Sequence, residues 1–258
     1  MSIDSRAVVD PSAKLADDVT VGPFTVIGPY VEIDSGSWIG PHVVINGPTR
    51  IGRDNRIFQF ASIGEEPQDK KFHGEASLLE IGDRNTIREF STINRGTEDG
   101  GGITRLGNDN WLMAYIHIAH DCLIGHKVTM ANGASLAGHV TVDDYAILGG
   151  FTLVHQFCAI GQNAFCGMGS AIGKDIPPYV MVSGNPAQPY GLNTEGLKRR
   201  GFDSDVIRAL KEAYKVIYRS GLTIDDAITP VSYTHLTLPT NRFAGGCRWW
   251  REIEYKSG

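Results

Sequence analysis

Long apolar runs are missing from this sequence. No stretch approaches the roughly 18 residues that a membrane-spanning helix needs, so membrane insertion is not expected. The opening segment "MSIDSRAVVDPSAK" lacks the apolar core of a secretory leader, which points to a cytoplasmic location. Cysteine is scarce: Cys122, Cys158, Cys166 and Cys247 are irregularly spaced and read as reduced thiols, neither a disulfide frame nor a zinc ribbon. Positive charge is in deficit, and the net charge of −5 excludes the basic footprint of a general nucleic-acid binder. Glycine stands apart, with 31 residues in a chain of 258, well above the usual share of roughly 7%.

A repeat explains the glycines. Stepping by six from Val9 meets Leu15, Val21, Ile27, Ile33, Ile39, Ile45, Ile51, Ile57 and Ile63, all aliphatic. The step resumes over Ile81, Ile87 and Ile93, and again from Leu106 through Ile118, Met130, Leu136, Val154 and Cys166 to Ile172. Glycine often follows the aliphatic residue, as in Ile51-Gly52 and Ile160-Gly161, and small or β-branched residues such as Ala134 and Thr152 recur four positions after it. A period of six fits neither an amphipathic helix nor an alternating strand; it marks a parallel β-helix in which three hexads form one triangular coil. The aliphatic side chains point inward and stack at a coil spacing of about 4.8 Å, with glycine expected to supply backbone freedom near the corners.

Residues 65–80 and 98–105 interrupt the count without shifting it, so both must loop out from a corner, where function often resides. Gly100, Gly101 and Gly102 suggest mobility more than chemistry. Pro177 and Pro178 are expected to stop the coil. The sequence thus divides into a β-helix over 1–190, a helical segment over 191–230, and a tail over 231–258. In the helical segment, Val206, Leu210, Ala213 and Ile217, with Ala209 and Tyr214, form an apolar face. Asp203 or Ser204 can cap that helix, Gly221 can end it, and a short further helix is expected near "TIDDAI". The tail has neither hexad nor helical face and is expected to be a non-native replacement of the natural end.

The segment "YIHIAHDCLIGH" concentrates chemistry-bearing residues. Folding the hexads by threes brings His120, His139 and His155 to one flank of consecutive coils, with His117 just before His120. A zinc site would need its ligands near 2.0–2.1 Å from one point, which different hexad offsets do not favour. A histidine general base suits the same residues, because imidazole titrates near neutrality. Asp121 can orient the ring only from a corner, since neighbours on a strand point oppositely. A polar surface without catalysis is the third reading.

"HIAHDC" (117–122), "NGASLAGHVTVDDYAILGG" (132–150), "LVHQFCAIG" (153–161), "NTEGLKRRGF" (193–202), "IFQFASIGE" (57–65) and "GGGITRLG" together resemble the UDP-N-acetylglucosamine O-acyltransferases, over about residues 3–229. The resemblance implies a homotrimer of left-handed β-helices with a C-terminal helical domain and active sites in clefts between subunits. It implies no cofactor and no metal. The partners would be UDP-N-acetylglucosamine and a 3-hydroxyacyl-acyl carrier protein, in the first step of lipid A synthesis. His120 would be the general base, with Asp121 as its helper and the Gly138 N–H as oxyanion donor. His117 and His139 would contact substrate, Asp69 and Lys71 the sugar and acyl chain. His155, Gln156, Asn193, Glu195 and Arg199 would contact the nucleotide sugar, Arg199 suiting a diphosphate. Lys198 and Arg200 would attract the acidic carrier protein. Met168 falls at the position that limits acyl length, which implies a shorter donor, of about ten carbons, than glycine would allow. Asn94 stands where these enzymes usually show histidine and is assigned no catalytic role.

Rival functions are the sister N-acyltransferase, which normally carries an extra N-terminal domain, a zinc lyase of the gamma carbonic anhydrase type, and a non-catalytic scaffold.

Overall fold

The computed structural model describes residues 2–222. The hexads become short strands, most of them two residues long, stacked into three parallel sheets that form the faces of a triangular prism. Through the hexads, up to Ile172, each strand pairs with the strand three places on, as a coil of three hexads requires. On one face Ile27 stands beside Ile45, Ile45 beside Ile63, Ile63 beside Ile93, Ile93 beside Ile118, and Ile118 beside Leu136. These side chains are almost fully buried, and so are Met130 and Cys166, the two exceptions to the aliphatic rule. Each such burial is worth about 1.5–3 kcal/mol. The parallel β-helix expected from the period is therefore the observed architecture.

The corners correct one expectation. Apart from Gly64, with φ of 75°, the glycine that follows the aliphatic residue is not left-handed; positive φ falls instead on the residue three after it: Phe24, Tyr30, His42, Asp54, Phe60 and so on up the prism. The hexad glycines serve close approach. A Cβ on Gly22 would stand 2.6 Å from Pro41 N, and one on Gly107 would stand 2.5 Å from Gly125 O in the next coil. A left-handed residue with a side chain costs roughly 1–2 kcal/mol in isolation, so stacking in the coils must outweigh it at every corner.

The residue four after the aliphatic one is not merely small. Asn55, Asn85 and Asn110 form an internal ladder, with Asn55 Oδ1 accepting from the Asn85 N–H at 2.9 Å and Asn85 Oδ1 from the Asn110 N–H at 2.9 Å. The ladder satisfies backbone donors that the corners would otherwise strand.

Both interruptions do leave the register intact, but the first is shorter than its sequence limits and the second begins and ends earlier, between Asn94 and Ile103. Leu78–Ile81 and Ile103–Leu106 are strands paired with each other, so the loops meet at their roots. The prolines at 177 and 178 do not end the sheet: Val180–Ser183 still pairs in parallel with Phe165–Cys166 and turns back antiparallel onto Gln188–Leu192. Two helices follow, α1 (Thr194–Arg199) and α2 (Ser204–Arg219). Asp203 caps α2 by accepting from the Asp205 N–H at 2.7 Å. The buried face of α2 is Ile207, Leu210, Ala213 and Tyr214; Val206 faces outward, contrary to the face read from the sequence. The helix expected near "TIDDAI" and the tail over 231–258 lie outside the described residues.

Candidate active site

Ile118 ends the short strand His117–Ile118, and after Ala119 the chain turns a corner at His120 and Asp121. Asp121 is the left-handed residue of that corner, with φ of 59°. This conformation lets two sequence neighbours face each other, as the sequence reading required: His120 Nδ1 lies 2.7 Å from Asp121 Oδ2. The Asp121 side chain is 1% exposed and that of His120 14%. A buried carboxylate so close favours the tautomer that carries its proton on Nδ1, which leaves Nε2 as a lone-pair acceptor.

The other edge of the ring looks at Gly138, one coil up. A Cβ there would fall 2.6 Å from His120 Cε1 and 2.8 Å from Nε2. Glycine is therefore needed for the imidazole to fit. The Gly138 N–H donates to no acceptor among the described residues. His139 is the left-handed residue of the next corner and packs edge-on against His120, with ring centroids 5.2 Å apart. Phe157 stacks on His139 at 4.6 Å. His117 lies on the strand before the corner, where Thr92 Oγ1 meets its Nδ1 at 2.7 Å. Burial, with His120 nearby, pulls the His117 pKa below the ordinary imidazole value.

The expected ladder of three histidines is thus a ladder of two. His155 follows its buried aliphatic residue by one position, His139 by three, so the two leave the coil in different directions. His155 is exposed, with Nδ1 3.1 Å from the Gln156 carbonyl oxygen, and Gln156 is exposed beside it.

His120, Asp121 and His139 bring potential ligand atoms within 4.8 Å of one another. The carboxylate is already engaged: Oδ1 accepts from the Thr97 N–H at 2.8 Å, and Oδ2 accepts from the Thr97 hydroxyl at 2.7 Å as well as facing His120. Three of its roughly four lone-pair positions are used, which disfavours a cation there.

The remaining predicted residues separate into groups. Asp69 and Lys71 lie in the first insertion loop, where Asp69 Oδ1 accepts from the Lys71 N–H at 3.0 Å. Lys71 lines a depression with His73, Gly74, Glu75, Glu98 and Asp99, formed where the two loops meet. Glu195 and Lys198 form an exposed ion pair at 2.9 Å, and Arg199 is exposed beside them. Two assignments change. Asn193 is buried, with Oδ1 capping α1 at the Gly196 N–H and Nδ2 donating to the Asn163 carbonyl, so within this chain its amide is structural. Arg200 stacks on Tyr145 at 4.8 Å and donates to the Tyr145 carbonyl at 3.1 Å, and burial lowers its pKa. It pins α1 to the prism; it does not reach out toward a carrier. Met168 is 80% exposed, so within this chain it fills no gap in the core. Asn94 is buried, with Nδ2 donating to the Glu66 carbonyl at 2.7 Å, so it anchors the first loop.

Sequence reasoning missed Thr97 and misjudged Gly100. A Cβ on Gly100 would fall 2.0 Å from Asp121 Cγ, so this glycine makes room for the carboxylate. The signal was a threonine opening a glycine-rich turn, a common local cap.

A β-helix of hexads carrying such a pair places the molecule among the hexapeptide-repeat acyltransferases. A family model described as UDP N-acetylglucosamine O-acyltransferase, domain 2, matches residues 175–242. The chain is 60% identical over 225 residues to acyl-[acyl-carrier-protein]--UDP-N-acetylglucosamine O-acyltransferase of Herminiimonas arsenicoxydans, covering 87% of this chain and 86% of the relative. The Halorhodospira halophila protein of that name is 63% identical, covering 87% of each. Among solved structures, LpxA from Acinetobacter baumannii superposes with a TM-score of 0.88 at 47% identity and 92% coverage of each chain. The chain therefore belongs to the UDP-N-acetylglucosamine O-acyltransferase family, and its β-helix is left-handed.

Proposed function

We propose that this enzyme transfers a 3-hydroxyacyl group from acyl carrier protein to the glucosamine 3-hydroxyl of UDP-N-acetylglucosamine, the opening step of lipid A synthesis. The observation that carries the mechanism is the 2.7 Å contact between His120 Nδ1 and Asp121 Oδ2, with the opposite edge of the ring set against Gly138. His120 Nε2 takes the proton of the acceptor hydroxyl as its oxygen attacks the thioester carbonyl carbon. Asp121 stabilises the imidazolium that forms. The carbonyl oxygen, now negative, meets the Gly138 N–H. The carbon–sulfur bond then breaks, and the imidazolium returns its proton to the departing thiolate. No enzyme nucleophile is required, because the acceptor oxygen is held in place for direct attack. The buried thiols fit this scheme, since burial pushes both Cys122 and Cys166 up to about 12, far from a nucleophilic thiolate.

Asp69, Lys71, His117, His139, His155, Gln156, Glu195 and Arg199 bind the substrates in this reading, in clefts shared between copies of a homotrimer. Lys198 meets the carrier protein. Among the described residues no helix is long and apolar enough to cross a membrane; in this reading the enzyme works in the cytoplasm. Met168 closes the acyl groove, and its exposure supports that role.

The test is transfer from 3-hydroxyacyl carrier proteins of graded length to UDP-N-acetylglucosamine. The donor of about ten carbons should be preferred, and Met168→Gly should move the preference to longer chains. No transfer with any donor would refute the activity. An unmoved length profile in Met168→Gly would remove Met168 from its role.

A further inference from the structure

We propose that Thr97 is a positioning residue, holding the Asp121 carboxylate in the orientation that presents one oxygen to His120 Nδ1, and that the second insertion loop is the brace for this contact. The inference rests on the reading of His120 as the base.

Thr97 is 5% exposed and spends both of its donors on one side chain. Its N–H reaches Asp121 Oδ1 at 2.8 Å and its hydroxyl reaches Oδ2 at 2.7 Å. Those two bonds fix the plane of the carboxylate, and Oδ2 is the oxygen that His120 uses. Thr97 is itself held by the loop it opens: its hydroxyl accepts from the Gly100 N–H at 3.2 Å, and its carbonyl accepts from the Gly102 N–H at 2.7 Å. The left-handed φ values at Gly101 and Gly102 bend the loop back for this. Gly100 then lies flat on the carboxylate. From behind, the Asp121 N–H donates to Thr104 Oγ1 at 2.8 Å, and Thr104 is 1% exposed. An insertion that looks dispensable in sequence thus encloses the helper carboxylate from three directions. Serine can make both hydroxyl bonds of Thr97; valine, of nearly the same size, can make neither.

The experiment measures kcat and KM for acyl transfer by the full chain, with Thr97→Val, Thr97→Ser and Gly100→Ala made in the parent and in Asp121→Asn. A hydrogen bond to a charged group predicts a loss in kcat of roughly tenfold or more for Thr97→Val. KM should be unchanged, and Thr97→Ser should stay near the parent. In Asp121→Asn the valine substitution should cost nothing more, because the two residues act as one unit. Gly100→Ala, which reaches the same carboxylate from the other side, should also lower kcat alone and decides the matter if Thr97→Val does not fold. A parent-like kcat in Thr97→Val, or an equal loss with and without the Asp121 carboxylate, would overturn the proposal. An active parent silenced by His120→Ala but indifferent to Thr97→Val refutes this inference only. A parent with no transfer activity refutes the base reading and this inference together.

Discussion

Two corners of the prism share one backbone and do different things. On the first, Phe24, His42, Phe60, Phe90 and Tyr115 occupy successive left-handed positions, and their rings stack with centroids 4.7–5.4 Å apart. On the second, the equivalent positions hold Asp121, His139 and Phe157. The backbone at Phe90, with φ of 58°, is that of Asp121, with φ of 59°. The difference is local: the second corner carries a histidine one residue earlier, a glycine one coil above that histidine, and an insertion loop that ties down the carboxylate. The repeat builds the corner; side chains at a single rung, with a loop laid over them, set the second corner apart.

The contrast can be broken at three depths. Ile93→Ala removes a side chain from the core beneath both corners and should destabilise the protein by about 2–5 kcal/mol, read by denaturant unfolding. Gly138→Ala should leave the fold and the aromatic corner alone but drive a methyl group into the His120 ring, lowering kcat by roughly 100-fold. Phe60→Ala should do the reverse, costing about 0.5–1.5 kcal/mol of stability beyond the buried area it loses, with acyl transfer unchanged. A Phe60→Ala enzyme with impaired transfer would mean that the two corners are not independent.

The third corner gives the smallest effect. Asp143 is pushed up to about 6, chiefly by burial and then by Asp144 beside it. Its folded value lies above the unfolded one, so the folded state holds the proton more tightly. Stability at this residue is therefore present at low pH and lost as pH rises through about 6. Asp143→Asn should raise the melting temperature slightly at pH 8, and the gain should shrink toward pH 4; a gain that grows on acidification would contradict the assignment.

The period of six made the fold legible, because an inward-facing residue must recur wherever identical coils stack. His120 and Asp121 were legible as neighbours that a corner could turn toward each other, whereas Gly138 was named only through the family resemblance. The site was not legible at Thr97, which meets Asp121 across an interruption of the repeat that no spacing rule spans. Nor did the sequence separate His155 from His139, since a shift of two positions around a corner redirects a side chain completely. The glycines misled twice. In the hexads they permit close approach more than unusual φ, and in the second loop they shape a cradle for a carboxylate. Asn193 and Arg200 carry polar groups that suit a ligand, but the structure uses them to fasten α1 to the prism.

The most direct measurement is the rate of transfer from 3-hydroxyacyl carrier protein to UDP-N-acetylglucosamine by the parent and by His120→Ala under identical conditions. Loss of a general base predicts a fall in kcat of roughly 10²–10⁴-fold with the fold intact. A folded His120→Ala enzyme that transfers at the parent rate would contradict the account, and the base would have to be sought elsewhere on the corner.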